Sequence, residues 1–118
     1  GHAAQGDGEV CGVATEIPTR GTFTFDLIKA NAIGTPRIES DEFIMAVGSA
    51  RPMEDAARIA FYELILWLEQ DFGIDRMTGY QLCSQVARVR LANMVDILYS
   101  VVAKFPKKFL PRSRDKGR

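Results

Sequence analysis

The stretch Pro52–Gly73, "PMEDAARIAFYELILWLEQDFG", decides the fold. Proline at the first helical position wastes no hydrogen bond, and Glu54 and Asp55 suit the positive end of a helix dipole. Met53, Ala56, Ala57, Ala60, Phe61, Leu64, Ile65, Leu68 and Phe72 recur at three- and four-residue steps, which predicts a helix with one wide apolar stripe. Gly73 stands where a left-handed residue would end it. Burial of that stripe alone does not offset the cost of ordering the backbone, so the helix has to lie on a sheet. Trp67 reads as core or as a subunit contact.

Upstream the sequence reads as strands. "EVCGVATEI" (9–17) alternates and is followed by Pro18. "RGTFTFDLIKA" (20–30) sets Phe23, Phe25 and Leu27 against Thr22, Thr24 and Asp26, a period of two in β-favouring residues. "NAIGTP" (31–36) is punctuation. Short strands are expected at Arg37–Glu39 and Glu42–Val47, closed by Gly48 and Ser49. Downstream, Asp75 is a candidate N-cap for a second helix running to Arg90, with Arg88 and Arg90 on its charged side. Residues 91–96 read as a connector and "ILYSVVAKF" (97–105) as a last strand before Pro106. The order is β–β–β–α–α–β: an α+β fold, a mixed or antiparallel sheet with two helices on one face. The expected division is an α/β portion over residues 1–110 and a basic flexible tail over 111–118.

The 118 residues suffice for one domain or a piece of a larger one, and the first of these readings needs a single core. Formal charge is zero, but residues 104–118 hold seven cations against Asp115, leaving −6 on the rest. Such a tail reads as a solvated terminus or as a dock on a neighbour's acidic body. A nucleic-acid role is not favoured, since only Phe105 and Phe109 interleave with its charges. No apolar run reaches the ~18 residues a membrane span needs. Two cysteines without metal-type spacing argue against a disulfide scaffold or zinc knuckle and suit a reducing cytoplasm.

The chemically loaded segment is "GHAAQGDGEVCG" (1–12). If residues 7–9 are extended, Asp7 and Glu9 point to one side, and the two carboxylates need a cation, a shared proton or open water. A divalent metal would take His2 as a nitrogen donor beside them. Gly6 and Gly8 would let backbone N–H groups approach an oxyanion, and Gln5 could orient a substrate amide. The same residues also read as a solvated turn. Cys11 is a rival nucleophile, although a strand cysteine between valines is more often a small buried hydrophobe, and Cys83 falls on an apolar helical face.

The run "GHAAQGDGEVCGVATEI", then "FDLIKA", "FIMAVGSARPMEDAARIAF", "GIDRMTGYQLCSQVARVRLANMVD" and "KFPKKF", is similar to the C-terminal portion of the acetamidase/formamidase family. The resemblance implies the later part of a larger β-rich fold and hydrolysis of short aliphatic amides, formamide or acetamide, to ammonia and carboxylate. It implies a divalent metal, zinc first and calcium as the alternative, with His2, Asp7 and Glu9 toward it. Glu9 and Gln5 would be the catalytic groups, and Gly6 and Gly8 would bind substrate or oxyanion. The metal would lower the pKa of a bound water from 15.7 to roughly 7, and Glu9 would move the proton to the departing ammonia. The resemblance also implies a homo-oligomer and a missing N-terminal portion that completes the site. Where the family commonly has an acid, this sequence has Arg88. The competing expectation is a non-catalytic assembly fragment of such an enzyme.

Overall fold

The computed structural model describes residues 1–111; the rest of the basic tail lies outside the described residues. The elements are β1 (His2–Ala4), β2 (Thr15–Glu16), β3 (Arg37–Glu39), β4 (Phe43–Ala50), α1 (Met53–Phe72), α2 (Arg76–Val86), β5 (Arg88–Asn93) and β6 (Tyr99–Pro106), with single 3₁₀ turns at Asp7–Glu9 and Lys107–Phe109. β3, β4, β6 and β5 form, in that order, an antiparallel four-stranded sheet, while β1 and β2 make a separate short ribbon.

Alternation in β4 and β6 builds the core. Ile44 faces Phe105, Ala46 faces Ala103 and Gly48 faces Val101 across the ladder, all on the side covered by α1. Ala56, Ala60, Leu64, Trp67 and Leu68 of α1 meet them, and Cys83 of α2 closes the cluster. Small residues on both sides let helix and sheet come together closely. A Cβ at Gly48 would overlap the Ala56 carbonyl oxygen and stand 2.6 Å from the Ala60 nitrogen.

α1 opens after Pro52 with Glu54 and Asp55 in its first turn. It ends at Gly73, whose φ of +66° lets its N–H reach back to the Glu69 carbonyl. Asp75 caps α2 by accepting from the Thr78 N–H at 3.1 Å, and hydrogen bonding from the Thr78 side chain, then from its N–H, holds the Asp75 carboxyl below the usual range. The three-residue turn folds α2 back onto α1, so both helices occupy one face, as the sequence implies. β3 is tied to α1 by Arg37, which donates to Glu63 Oε1 at 2.7 and 2.8 Å and to Gln70 at 2.8 Å, its guanidinium 5.2 Å from the Trp67 ring. Glu63 and Arg37 are both nearly inaccessible.

Three sequence expectations are corrected. Residues 9–17 are mostly turn, because Gly8, Glu9 and Gly12 all have positive φ, and only Thr15–Glu16 form strand, with Ile17 exchanging backbone hydrogen bonds with Gly1. Residues 20–28 carry the strand pattern but have no neighbour to pair with among the described residues. The second helix stops at Val86, since Ala87 is extended, and "RVRLAN" becomes β5 rather than helix end and connector.

Candidate active site

β5 is an edge strand, and the opening segment lies along it. Gln5 donates through Nε2 to the Ala92 carbonyl at 2.9 Å, and the Met94 N–H donates to the Gly8 carbonyl at 3.0 Å. Arg90 donates through Nε and Nη2 to Asp7 Oδ1 at 2.9 and 2.7 Å. Asp7 raises the Arg90 guanidinium above its ordinary value through that hydrogen bond and its charge.

Gly8 is buried in this contact at φ +83°. A Cβ there would stand 3.0 Å from Met94 Cγ and Sδ and 3.2 Å from Leu91 Cδ2, so both backbone conformation and space favour glycine. Glu9 follows at φ +46°, a left-handed setting uncommon for a residue with a side chain. Backbone held this way is often found where a side chain must be aimed.

The aim is toward His2. Glu9 Oε2 lies 4.0 Å from His2 Nδ1, and the Glu9 side chain is only 15% exposed. His2 Nδ1 meets Gln5 Oε1 at 2.7 Å and His2 Nε2 meets Glu16 Oε1 at 2.8 Å. β1–β2 pairing sets the last contact, since His2 stands opposite Glu16. Gln5 uses its NH₂ on Ala92, so the ring sees an amide oxygen on one side and a carboxylate on the other.

The sequence-derived site residues are therefore only partly brought together. His2, Gln5 and Glu9 form one cluster, with Glu16 as a fourth member. Asp7 is not in it: the 3₁₀ turn sends Asp7 to Arg90 and Glu9 to His2, so the two carboxylates do not share a side as a strand would require. Gln5 acts as a strut between His2 and β5. Gly8 is closed off by Met94 and Leu91, while the Cβ position of Gly6 has open space around it.

The described residues of this chain do not by themselves assemble a metal site. Both nitrogens of the sole histidine face hydrogen-bond acceptors, Asp7 is held by arginine, and among the described residues no three of His, Cys, Asp or Glu converge on a point. Cys11 is exposed and contacts the Val13 carbonyl through Sγ at 3.5 Å. Cys83 is buried, and desolvation pushes its thiol up to about 11, far from nucleophilic at neutral pH.

Sequence reasoning missed Arg90, Glu16 and the Ala92 carbonyl. The first could have been found from the alternation of Arg88, Val89, Arg90 and Leu91, which is strand-like.

Neither a protein-family model nor a curated protein matches the chain. Solved structures do. An acetamidase from Yersinia enterocolitica is 47% identical over 94% of this chain, with a TM-score of 0.84. The chain belongs to the acetamidase/formamidase family. It spans 34% of the Yersinia protein. An acetamidase from Bacillus halodurans shares 21% identity over 92% of this chain and 37% of its own, with a TM-score of 0.70. A predicted acetamidase/formamidase from the thermophile Thermoanaerobacter tengcongensis shares 22% over 91% and 36%, with a TM-score of 0.73. These two likenesses speak for the fold alone. The α+β architecture agrees with all three, and about two thirds of each relative has no counterpart in this chain. No described helix is long and apolar enough to cross a membrane.

Proposed function

We propose that this chain carries part of the active site of a hydrolase for short aliphatic amides, such as formamide or acetamide, and that the remaining part comes from the portion of the family fold outside it. The observation that carries the reading is Glu9: a shielded carboxylate in a left-handed turn, aimed at His2, in a chain 47% identical to part of an acetamidase.

Hydrolysis needs one bond made and one broken. A water oxygen adds to the amide carbonyl carbon while Glu9 accepts a water proton. The C–N bond then breaks, and Glu9 delivers that proton to the nitrogen, so that ammonia leaves rather than an amide anion. In this reading a backbone N–H of the Gly6–Gly8 run would hold the developing oxyanion; the space where a Gly6 Cβ would stand is open, and the close-packed Gly8 fixes the turn. His2 positions Glu9, and Gln5 and Glu16 hold the ring of His2 from either side. Gln5 is thus a positioning residue here, and Asp7 a latch to β5. A divalent ion, zinc or calcium, would need donors from outside this chain and a turned His2. The two unpaired thiols fit a reducing compartment such as the cytoplasm, and the half-exposed second face of the sheet fits a homo-oligomer.

The test joins this chain to the part of the Yersinia acetamidase that lies outside the match and measures ammonia released from formamide and acetamide. The chain alone should release none. The joined protein should do so, and Glu9→Gln should lower the rate by roughly 10²–10⁴-fold, while Asp7→Asn should leave most of it. Loss on chelation would add an ion held mainly by the other portion. A folded joined protein without activity, or one indifferent to Glu9→Gln, would favour the non-catalytic assembly role.

A further inference from the structure

Residues 18–28 run without helix, turn or bridge between the β1–β2 ribbon and a turn at 29–30. Among the described residues none of their backbone N–H or carbonyl groups pairs with another backbone group. Yet the segment holds four large apolar side chains in the open: Phe23 is 78% exposed, Phe25 88%, Leu27 81% and Ile28 73%. A run of free backbone and bare hydrophobes is costly in water and is seldom left uncovered.

The pattern says what kind of cover it lacks. Phe23, Phe25 and Leu27 alternate with Thr22, Thr24 and Asp26, and the Phe23 and Phe25 rings lie 6.4 Å apart, as i and i+2 neighbours on one strand face do. One face is apolar and the other polar, the signature of a sheet with one buried and one wet side. A groove for an amphipathic helix would instead want residues three and four apart.

Resting on the proposed function above, we infer that residues 22–27 form a strand that adds to an exposed sheet edge in the portion of the acetamidase fold lying outside this chain. That portion is the occupant because this chain matches only 34% of the Yersinia protein while 94% of the chain is matched. The remaining two thirds of that fold must meet this third somewhere. The 22–27 segment offers both unpaired ladder groups and an uncovered apolar row. It joins the candidate site through the β1–β2 ribbon, so that pairing here would bring the other portion up to His2, Gln5 and Glu9.

Amide hydrogen exchange tests this on two samples. One is this chain alone. The other is this chain joined to, or mixed with, the unmatched part of the Yersinia acetamidase. In the chain alone the 22–27 amides should exchange within about tenfold of an unstructured peptide, while β4 and β6 are protected. With the second portion present, alternate amides in 22–27 should slow by roughly 100-fold or more. Thr24→Pro and Phe25→Pro, made singly, remove N–H groups that face opposite edges. At least one should lower the melting temperature of the joined protein while leaving that of the chain alone unchanged.

Fast exchange at 22–27 in a joined protein whose β4 and β6 are protected overturns the inference. So does protection that appears in the chain alone and grows with its concentration, which would make a second copy the occupant. Ammonia release is scored separately. A protected but inactive joined protein would sink the catalytic reading and leave the strand, and an active, unprotected one would do the reverse.

Discussion

Replacing Gly48 with alanine tests the packing on which the whole arrangement rests. The added Cβ would overlap the Ala56 carbonyl oxygen, stand 2.6 Å from the Ala60 nitrogen and 3.0 Å from the Ala56 carbonyl carbon. All three are backbone atoms of α1, so no side-chain rotation relieves the contact. To restore ordinary separation the helix must back away from β4 by about an ångström. That motion loosens Ile44, Ala46, Leu64 and Leu68 together, all of them fully buried. Overpacking costs about 1–3 kcal/mol where side chains can adjust. Against a rigid backbone the upper end is expected, about 3 kcal/mol or more, out of a total near 5–15. The melting temperature should fall by roughly 12 °C, at about 4 °C per kcal/mol for a chain of this length. Trp67, the sole tryptophan and 7% exposed, reports the transition by fluorescence. Gly6→Ala is the control, since its Cβ would meet nothing within 4 Å and its φ is an ordinary −75°. A Gly48→Ala chain within about 0.5 kcal/mol of the parent would mean that α1 does not rest on β4 at this point.

Arg37→Met leaves Glu63 buried without its partner and should cost about 3–5 kcal/mol in urea unfolding, whereas Arg37→Met with Glu63→Leu should recover most of it. Burial raises the Cys83 thiol from 9.0 to about 11, so the folded chain holds that proton more tightly than the unfolded chain. The associated stability is full below pH 9 and is lost between pH 9 and 11, at up to about 1.4 kcal/mol per pH unit. Cys83→Ala should flatten that slope. In the parent at pH 8, iodoacetamide should modify Cys11 and spare Cys83, as mass spectrometry would read. Arg90→Gln releases Asp7 and should speed exchange at the Glu9 and Met94 amides while barely moving the melting temperature, because the Arg90–Asp7 pair is solvent-exposed.

The helices were legible because their signals are local. The stripe of α1, its acidic first turn, Gly73 and the Asp75 cap act within a few residues of themselves, and each is where the sequence implies. The alternation in "FIMAVGSA" likewise identified β4, which proved longer at its C-terminal end because it pairs with β6 as far as Ala50. "RVRLAN" misled for the opposite reason: it follows a helix without a breaking residue, and only the partner strand β6 makes it β5. The alternation over 20–30 is present in the sequence, yet pairing is a property of two segments, and among the described residues no second segment meets it.

In the site, His2, Gln5 and Glu9 could be singled out by residue type. That Asp7 parts from Glu9 could not, since it depends on the positive φ values of Gly8 and Glu9 and on an arginine 83 positions away. Glu16 meets His2 through ribbon register, which spacing alone does not reveal.

The seating of residues 5–8 on β5 has a consequence for handling the protein. β5 borders the sheet, and an open border of that kind invites foreign strands to stack and seed aggregates. Gln5 occupies the Ala92 carbonyl, Gly8 takes the Met94 amide, and Asp7 clamps the Arg90 side chain over the same rim. The segment therefore serves as a plug. Trimming the first nine residues should give a chain that precipitates on standing even though its helices and core are untouched.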